Sequence, residues 1–252
     1  MDKTSAPVLE VSNLVKSFGA LRASDGISLD VRAGEIHALI GPNGAGKTTA
    51  INQLSGEMQP DQGEVVFNGQ DVTKLPVDQR AQLGLARSYQ ITSIFPQFSA
   101  LENVAMAVQV KQSHNFRFWQ PAGEDRTRLD PAMDLLNRMG MEALALTKAG
   151  ELAHGQQRQL ELAMALATEP KMLLLDEPMA GMGPEETRRM TEILMPLKGQ
   201  LSILLVEHDM DVVFALADRI TVLVLGKAIA TDTPENIRNS AEVRAAYLGE
   251  PT

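Results

Sequence analysis

The feature that most constrains this chain is a five-residue apolar run, Ile36–Ile40, that ends directly in Gly41-Pro42-Asn43-Gly44-Ala45-Gly46-Lys47-Thr48. A run of strand length, a glycine-rich turn and then a helical segment, Lys47–Leu54, is the layout of a phosphate-binding βα unit. The eight residues satisfy the pattern G-x-x-x-x-G-K-S/T in full. Glycines let the backbone curl until successive N–H groups point inward at phosphate oxygens. The following helix adds its positive N-terminal end. In such a loop Lys47 would reach the β- and γ-phosphates of a nucleotide, and the Thr48 hydroxyl would bind Mg²⁺. A chance glycine turn is the competing reading, and the flanking strand and helix weigh against it.

The rest of the chain fits an α/β fold interrupted once. Short β-like runs occur at Val8–Val11, Ile27–Val31, Glu35–Ile40 and Val65–Phe67, the last followed by an Asn68-Gly69 turn. From about Leu101 to Ala167 the period becomes helical, with helices expected at Leu101–Gln109, Pro131–Met139 and Gln156–Thr168. Between them, His114–Arg128 is polar, contains Phe116, Phe118 and Trp119, and has no clear period. It reads as an irregular surface excursion. After Pro170 the alternation returns: strand Met172–Leu175, helix Pro184–Leu197, strand Ile203–Val206, helix Met210–Ala217, strand Arg219–Leu225. Strands alternating with helices predict a largely parallel sheet. The expected organisation is a single domain over 1–252, with a core of about 1–90 and 168–252 and a helical subdomain of about 91–167.

Composition removes several function classes. The formal net charge of -9 repels nucleic-acid backbones, so no nucleic-acid partner is expected. With no cysteine there is no disulfide, thiolate metal site or cysteine nucleophile. No stretch approaches the roughly 18 apolar residues of a membrane-spanning helix. Met1–Ser5 is not followed by the apolar core of a secretory signal. A cytoplasmic chain is therefore expected, with any membrane role exerted through partners.

A second motif completes the chemistry. Met172-Leu173-Leu174-Leu175-Asp176-Glu177-Pro178 is an apolar strand ending in two acids. Asp176 can hold Mg²⁺ directly or through water, because a hard cation prefers carboxylate oxygen. Glu177, one residue on, points elsewhere and could polarise an attacking water. Alone, such a pair would read as solvated acids at a strand end; beside a phosphate loop it reads as catalytic.

From about Val8 to Gly249 the chain resembles the ATP-binding-cassette ATPases. The resemblance implies a RecA-like P-loop NTPase core with an antiparallel β edge and an inserted α-helical subdomain. It also implies ATP and Mg²⁺, with Gly41, Pro42, Asn43, Gly44, Ala45, Gly46, Lys47, Thr48 and Thr49 around the nucleotide. Phe18 stands where the family places an aromatic residue against adenine, an ordinary core Phe being the alternative. Gln90 matches the glutamine that links the Mg²⁺ site to the helical subdomain. His208, in Val206-Glu207-His208-Asp209, matches the switch histidine that contacts the γ-phosphate. The implied catalytic set is Glu177, His208, Lys47 and Gln90, and the metal set is Thr48, Gln90 and Asp176.

Leu152-Ala153-His154-Gly155-Gln156-Gln157-Arg158 matches the family signature, commonly Leu-Ser-Gly-Gly-Gln, at a helix start. In the family this segment closes over ATP held by a second subunit, so Ala153, His154, Gly155 and Gln156 are expected to bind nucleotide in trans. Ala153 replaces the serine and His154 the first glycine. Loss of the hydroxyl should weaken that contact by about 1–3 kcal/mol. Gly183 stands where the family often has Asp, in the loop Met179–Gly183 that meets the partner.

The resemblance implies a dimer with two ATP molecules between subunits, bound to transmembrane permease subunits on the inner face of the membrane. Phe95, Pro96 and Phe98 are candidates for that docking, with core packing as the alternative. The forms of Leu152–Arg158, Ala180–Pro184, Glu207–Met210 and Ala246–Glu250 are similar to those of branched-chain amino-acid importers, specifically the larger of their paired ATPases. Such a system implies a periplasmic solute-binding protein as an indirect partner and a different second cassette in preference to an identical one. Urea or amide importers and the lipopolysaccharide-export ATPase share much of the pattern. Two rivals from other classes are a soluble cassette ATPase acting on DNA or the ribosome, and a module that holds ATP without hydrolysing it.

Overall fold

A computed structural model describes residues 7–88, 94–111 and 126–248. The chain opens with β1 (Pro7–Phe18), β2 (Leu21–Arg32), β3 (Ile36–Ile40) and α1 (Lys47–Ser55). Next come β4 (Gln62–Phe67), β5 (Gln70–Asp71), α2 (Val77–Gln82) and β6 (Leu85–Ser88). Three helices follow: α3 (Ala100–Lys111), α4 (Arg126–Arg138) and α5 (His154–Ala167). The chain then runs through β7 (Met172–Asp176), α6 (Pro184–Leu194), β8 (Ser202–Val206), α7 (Met210–Leu216), β9 (Arg219–Val224), β10 (Lys227–Asp232) and α8 (Pro234–Asn239).

These elements group into two units. The first contains Met1–Arg87, Lys171–Glu177 and Leu194–Thr252, and the second contains Ser88–Pro170 and Pro178–Ile193. In the first, a six-stranded sheet has the order β10-β9-β3-β8-β7-β6. β3 runs parallel to both β8 and β9, and β7 runs parallel to β8. Every residue of β3, β7 and β8 is buried. Sheets covered on both faces read as unbroken apolar runs, which is why these strands were legible without alternation. A four-stranded antiparallel sheet, β2-β1-β4-β5, is the antiparallel element expected from the family resemblance.

Helix α1 joins the two sheets. Its Ile51 and Leu54 are buried in one core with Leu9 and Ile27 of the antiparallel sheet and Leu174 and Leu204 of the parallel one. Each such side chain contributes about 1.5–3 kcal/mol on burial, so the helix is anchored by packing along its length. Its C-terminal end is held by a buried cation. The fully buried Arg80 donates to the carbonyls of Gln53 (2.8 Å), Leu54 (2.7 Å), Thr73 (2.8 Å) and Leu75 (2.9 Å). Burial pushes its pKa down to about 10. Orphan carbonyls at a helix end and a cation satisfy one another there.

The second unit packs α3, α4 and α5 together. Val104, Val108, Leu136, Leu160 and Ala163 are buried within it. No helix among the described residues is long and apolar enough to cross a membrane.

Several boundaries differ from the expectations. Helix α4 begins at Arg126, so Pro131 lies inside it rather than at its start. The expected excursion therefore ends in helix, and its residues 114–125 lie outside the described residues. Helix α6 stops at Leu194, and Met195–Leu197 forms a tighter 3-10 turn around Pro196, which has no N–H to continue the helix. The strand expected to reach Leu225 ends at Val224, because Leu225 and Gly226 take φ of 48° and 80° in the two-residue turn to β10. Asn68 and Gly69, with φ of 49° and 76°, make the same kind of turn between β4 and β5.

Candidate functional site

The glycine-rich loop lies between β3 and α1. Gly46 sits at the helix N-terminus with φ 102°. A Cβ there would come within 2.2 Å of the Ala23 carbonyl oxygen, and one at Gly41 within 2.2 Å of the Leu223 carbonyl oxygen. Neighbouring backbones thus press against the loop, and only glycine fits. The ammonium of Lys47 donates to the carbonyls of Gly41 at 2.7 Å and Pro42 at 3.1 Å. Lys47 is 7% exposed, and desolvation lowers its pKa, partly opposed by the charges of Glu177 and Asp176. Those interactions bring the phosphate loop and the acid pair into one electrostatic site. Thr48 is exposed and Thr49 half-buried, and the Thr48 hydroxyl has no hydrogen bond among the described residues.

Asp176 is the last residue of β7, and Glu177 follows it in a left-handed conformation, φ 49°. The Glu177 N–H bonds to the Val206 carbonyl at 2.9 Å, holding the turn against β8. Such backbone strain in a non-glycine residue costs of order 1–3 kcal/mol and redirects the side chain away from the strand. The Glu177 carboxylate has no hydrogen bond among the described residues. Asp176 is 2% exposed; its Oδ2 accepts from Arg87 Nη2 at 3.0 Å, while Oδ1 is buried without a hydrogen-bond partner among the described residues. Desolvation raises its pKa, opposed by Arg87. A buried carboxylate oxygen with an unmet acceptor is suited to a hard cation or its water. No cluster of three or more His, Cys, Asp or Glu side chains exists among the described residues.

Phe18 ends β1 and is 50% exposed, which rules out the core alternative. It pairs with Leu21 across the β1–β2 hairpin, two residues before the Ala23 that abuts Gly46. His208 follows β8 with its side chain 61% exposed. Its N–H donates to Glu207 Oε2 at 3.0 Å, and Glu207 is fully buried. Gln90 lies outside the described residues.

In the second unit the Leu152–Arg158 motif forms the N-terminus of α5. Ala153 is the N-cap, and its side chain has no acceptor; instead the Ala153 N–H donates to Gln156 Oε1 at 3.0 Å. The first intrahelical bond is Gln157 N–H to the Ala153 carbonyl at 2.9 Å. The N–H groups of His154, Gly155 and Gln156 therefore have no intrahelical acceptor. Ala153 and His154 are exposed. Gly155 is buried, and a Cβ there would meet Glu186 Oε1 at 2.4 Å. Glu186 Oε2 in turn accepts from the Gly183 N–H at 3.1 Å. The signature and the 179–183 loop are thus adjacent within this unit.

A phosphate loop, a second anion-ready helix start and an acid pair at a strand end, in this chain order, are a combination that comparison with known proteins can assign. The family model for ABC transporters matches residues 24–180, from the strand beside the loop to the residues after the acids. The chain belongs to the ABC transporter family. It is 39% identical over 253 residues to the high-affinity branched-chain amino acid transport ATP-binding protein BraF of Pseudomonas aeruginosa, covering 98% of this chain and 99% of BraF. It is 40% identical to LivG of Escherichia coli, a protein described in the same words, again over 98% of this chain and 99% of LivG. The ADP conformation of MJ1267, an ATP-binding cassette of an ABC transporter, superposes with a TM-score of 0.84 at 29% identity, covering 98% of this chain and all of that one.

This ABC transporter subunit is an ATP-binding, ATP-hydrolysing enzyme. Two residues that reasoning from the sequence did not single out act on its site. Arg87 binds Asp176, and Arg80 anchors the far end of the phosphate-loop helix. No sequence signal marks either, because each acts on residues distant along the chain.

Proposed function

We propose that this ABC ATPase powers the import of branched-chain amino acids. The observation that carries the reading is similarity along nearly the whole chain, at 39% and 40% identity, to BraF and LivG. The protein would sit on the cytoplasmic face of the membrane, held by transmembrane permease subunits, with a periplasmic solute-binding protein delivering cargo. Exposed Phe95 and Phe98, in edge contact at 6.0 Å, are the candidate docking residues. Buried Asn103 fixes their loop through the Phe95 N–H and the Phe95, Phe98 and Ser99 carbonyls.

In the mechanism we infer, Phe18 packs on the adenine and the loop N–H groups from Gly41 to Thr49 surround the phosphates. Lys47, already held by two loop carbonyls, turns its remaining proton to the β- and γ-phosphates. Thr48, Asp176 and Gln90 would hold Mg²⁺. When bound, that ion neutralises the charge that develops on the phosphate oxygens. Glu177 accepts a proton from the attacking water, and His208 hydrogen-bonds the γ-phosphate side. The unmatched N–H groups at His154–Gln156 point to a ligand from outside this chain, the ATP of a second cassette. Binding energy then favours the closed pair and hydrolysis reopens it. We favour a different cassette over a second copy as the partner.

The test is uptake of labelled leucine, isoleucine and valine by a host lacking this gene. The reading predicts lost uptake of all three, restored by the wild-type gene and not by Lys47→Ala. Unchanged uptake with loss of another solute would reassign the cargo. Recovery of the tagged protein from host membranes without any multi-span protein would remove the transporter role itself.

A further inference from the structure

We infer that Arg87 is a positioning residue for the metal side of the site: its guanidinium fixes the orientation of Asp176 and couples it to the phosphate-loop helix. The inference rests on the reading of Asp176 as a Mg²⁺ ligand.

The geometry is specific. One arm of the guanidinium, Nη2, donates to Asp176 Oδ2 at 3.0 Å. The other, Nη1, lies 2.8 Å from Asn52 Oδ1, 3.1 Å from Ser55 Oγ and 2.8 Å from Glu57 Oε2. Asn52 and Ser55 belong to α1, whose first two residues are Lys47 and Thr48. A planar, always charged fork therefore spans from the phosphate helix to the strand that ends in the acid pair.

Burial makes this arrangement matter. The side chain of Arg87 is 7% exposed and that of Asp176 is 1% exposed. In such surroundings a carboxylate is stabilised only by the charges and donors that face it. Arg87 takes one carboxylate oxygen and leaves Oδ1 as a buried acceptor without a hydrogen bond among the described residues. Without the fork, Asp176 could rotate, and neither oxygen would be committed. With it, a single oxygen remains for a cation or its water. A lysine could supply the charge but not the two-sided bridge.

Besides Asp176, acceptors on Asn52, Ser55 and Glu57 hold the guanidinium in place. This makes Arg87 a fixed support for the aspartate, in contrast to a cation that Mg²⁺ would have to displace. The two roles predict opposite effects of removing it. A fixed support, when lost, weakens the response to Mg²⁺; a competing cation, when lost, strengthens it.

The experiment measures affinity for a fluorescent ATP analogue in Mg²⁺ and in EDTA, on full-length protein. The readout is the ratio of the two affinities, which a general loss of stability does not selectively change. Arg87→Met should reduce the Mg²⁺-dependent gain by about tenfold, the scale of one hydrogen bond to a charged group. Metal-free affinity should stay within about twofold, because Asn52, Ser55, Glu57 and Asp176, which accept from Arg87, all lie outside the phosphate loop. Arg87→Lys should be intermediate. In an Asp176→Asn background, Arg87→Met should have no further effect on the ratio. If Arg87→Met does not fold, Asn52→Ala combined with Glu57→Ala removes two acceptors from the guanidinium and should lower the ratio about threefold. An unchanged or increased ratio in these variants overturns the inference. An unchanged ratio in Asp176→Asn alone would instead overturn the assignment of Asp176 to the metal.

Discussion

Replacing Gly46 with alanine tests how the phosphate loop is held, and Gly44→Ala supplies an internal control. Both glycines have positive φ, 102° and 79°, so alanine is strained at either position. They differ in room. A Cβ at Gly44 meets nothing within 4 Å, whereas one at Gly46 lies 2.2 Å from the Ala23 carbonyl oxygen. Real contacts of this type require more than 3 Å, so either β2 or the start of α1 must move by about 1 Å. The strain alone costs about 1 kcal/mol at Gly44. At Gly46 the same strain adds to about 1–3 kcal/mol of overpacking. For a chain of this length each kcal/mol lowers Tm by about 2–4 °C. Thermal melting without nucleotide should therefore show a drop of about 2–4 °C for Gly44→Ala and about 4–16 °C for Gly46→Ala. Stabilisation by Mg-ATP should persist in Gly44→Ala and vanish in Gly46→Ala, whose shifted loop no longer aims its N–H groups together. Equal melting temperatures for the two variants would refute the claim that the Ala23 backbone sets the shape of the loop.

Two further substitutions separate binding from folding. Lys47→Ala should abolish the Mg-ATP thermal shift, because the side chain proposed to bridge loop and phosphates is gone; a shift of wild-type size would count against the phosphate-loop assignment. Phe18→Ala should weaken ATP binding about threefold to tenfold with Tm almost unchanged, since an exposed aromatic contributes to stacking and little to the core. A large fall in stability with unaltered affinity would return Phe18 to a structural role.

What the sequence made legible was local. The phosphate loop, the acid pair and the buried parallel strands each carry their chemistry within about eight consecutive residues, and the structure places each in the expected kind of element. The supports of the site were not legible. Arg87 and Asp176 are 89 residues apart, and Arg80 meets the end of α1 across 26 and 27 residues, so no window of sequence contains either interaction. Strand β10 escaped notice because its residues are only half-buried or exposed, giving no apolar run. The end of β9 was overextended because Leu225, though apolar, occupies a turn and is 80% exposed. Phe18 shows the converse: its residue type left core and ligand roles open, and its exposure removes the core one.

We propose that this chain hydrolyses ATP with Glu177 as the group that activates water, in a site completed by a second cassette. Glu177→Gln keeps the size of the side chain while removing its basicity, and it leaves the phosphate loop and Asp176 intact. The most direct measurement is steady-state ATP turnover of this variant together with its sedimentation in Mg-ATP, using the cassette pair as isolated from its transporter. Turnover should fall by about a hundredfold or more, the scale of losing a general base, while an ATP-bound cassette pair persists. Turnover near the wild-type rate, or loss of the ATP-bound pair, would contradict it.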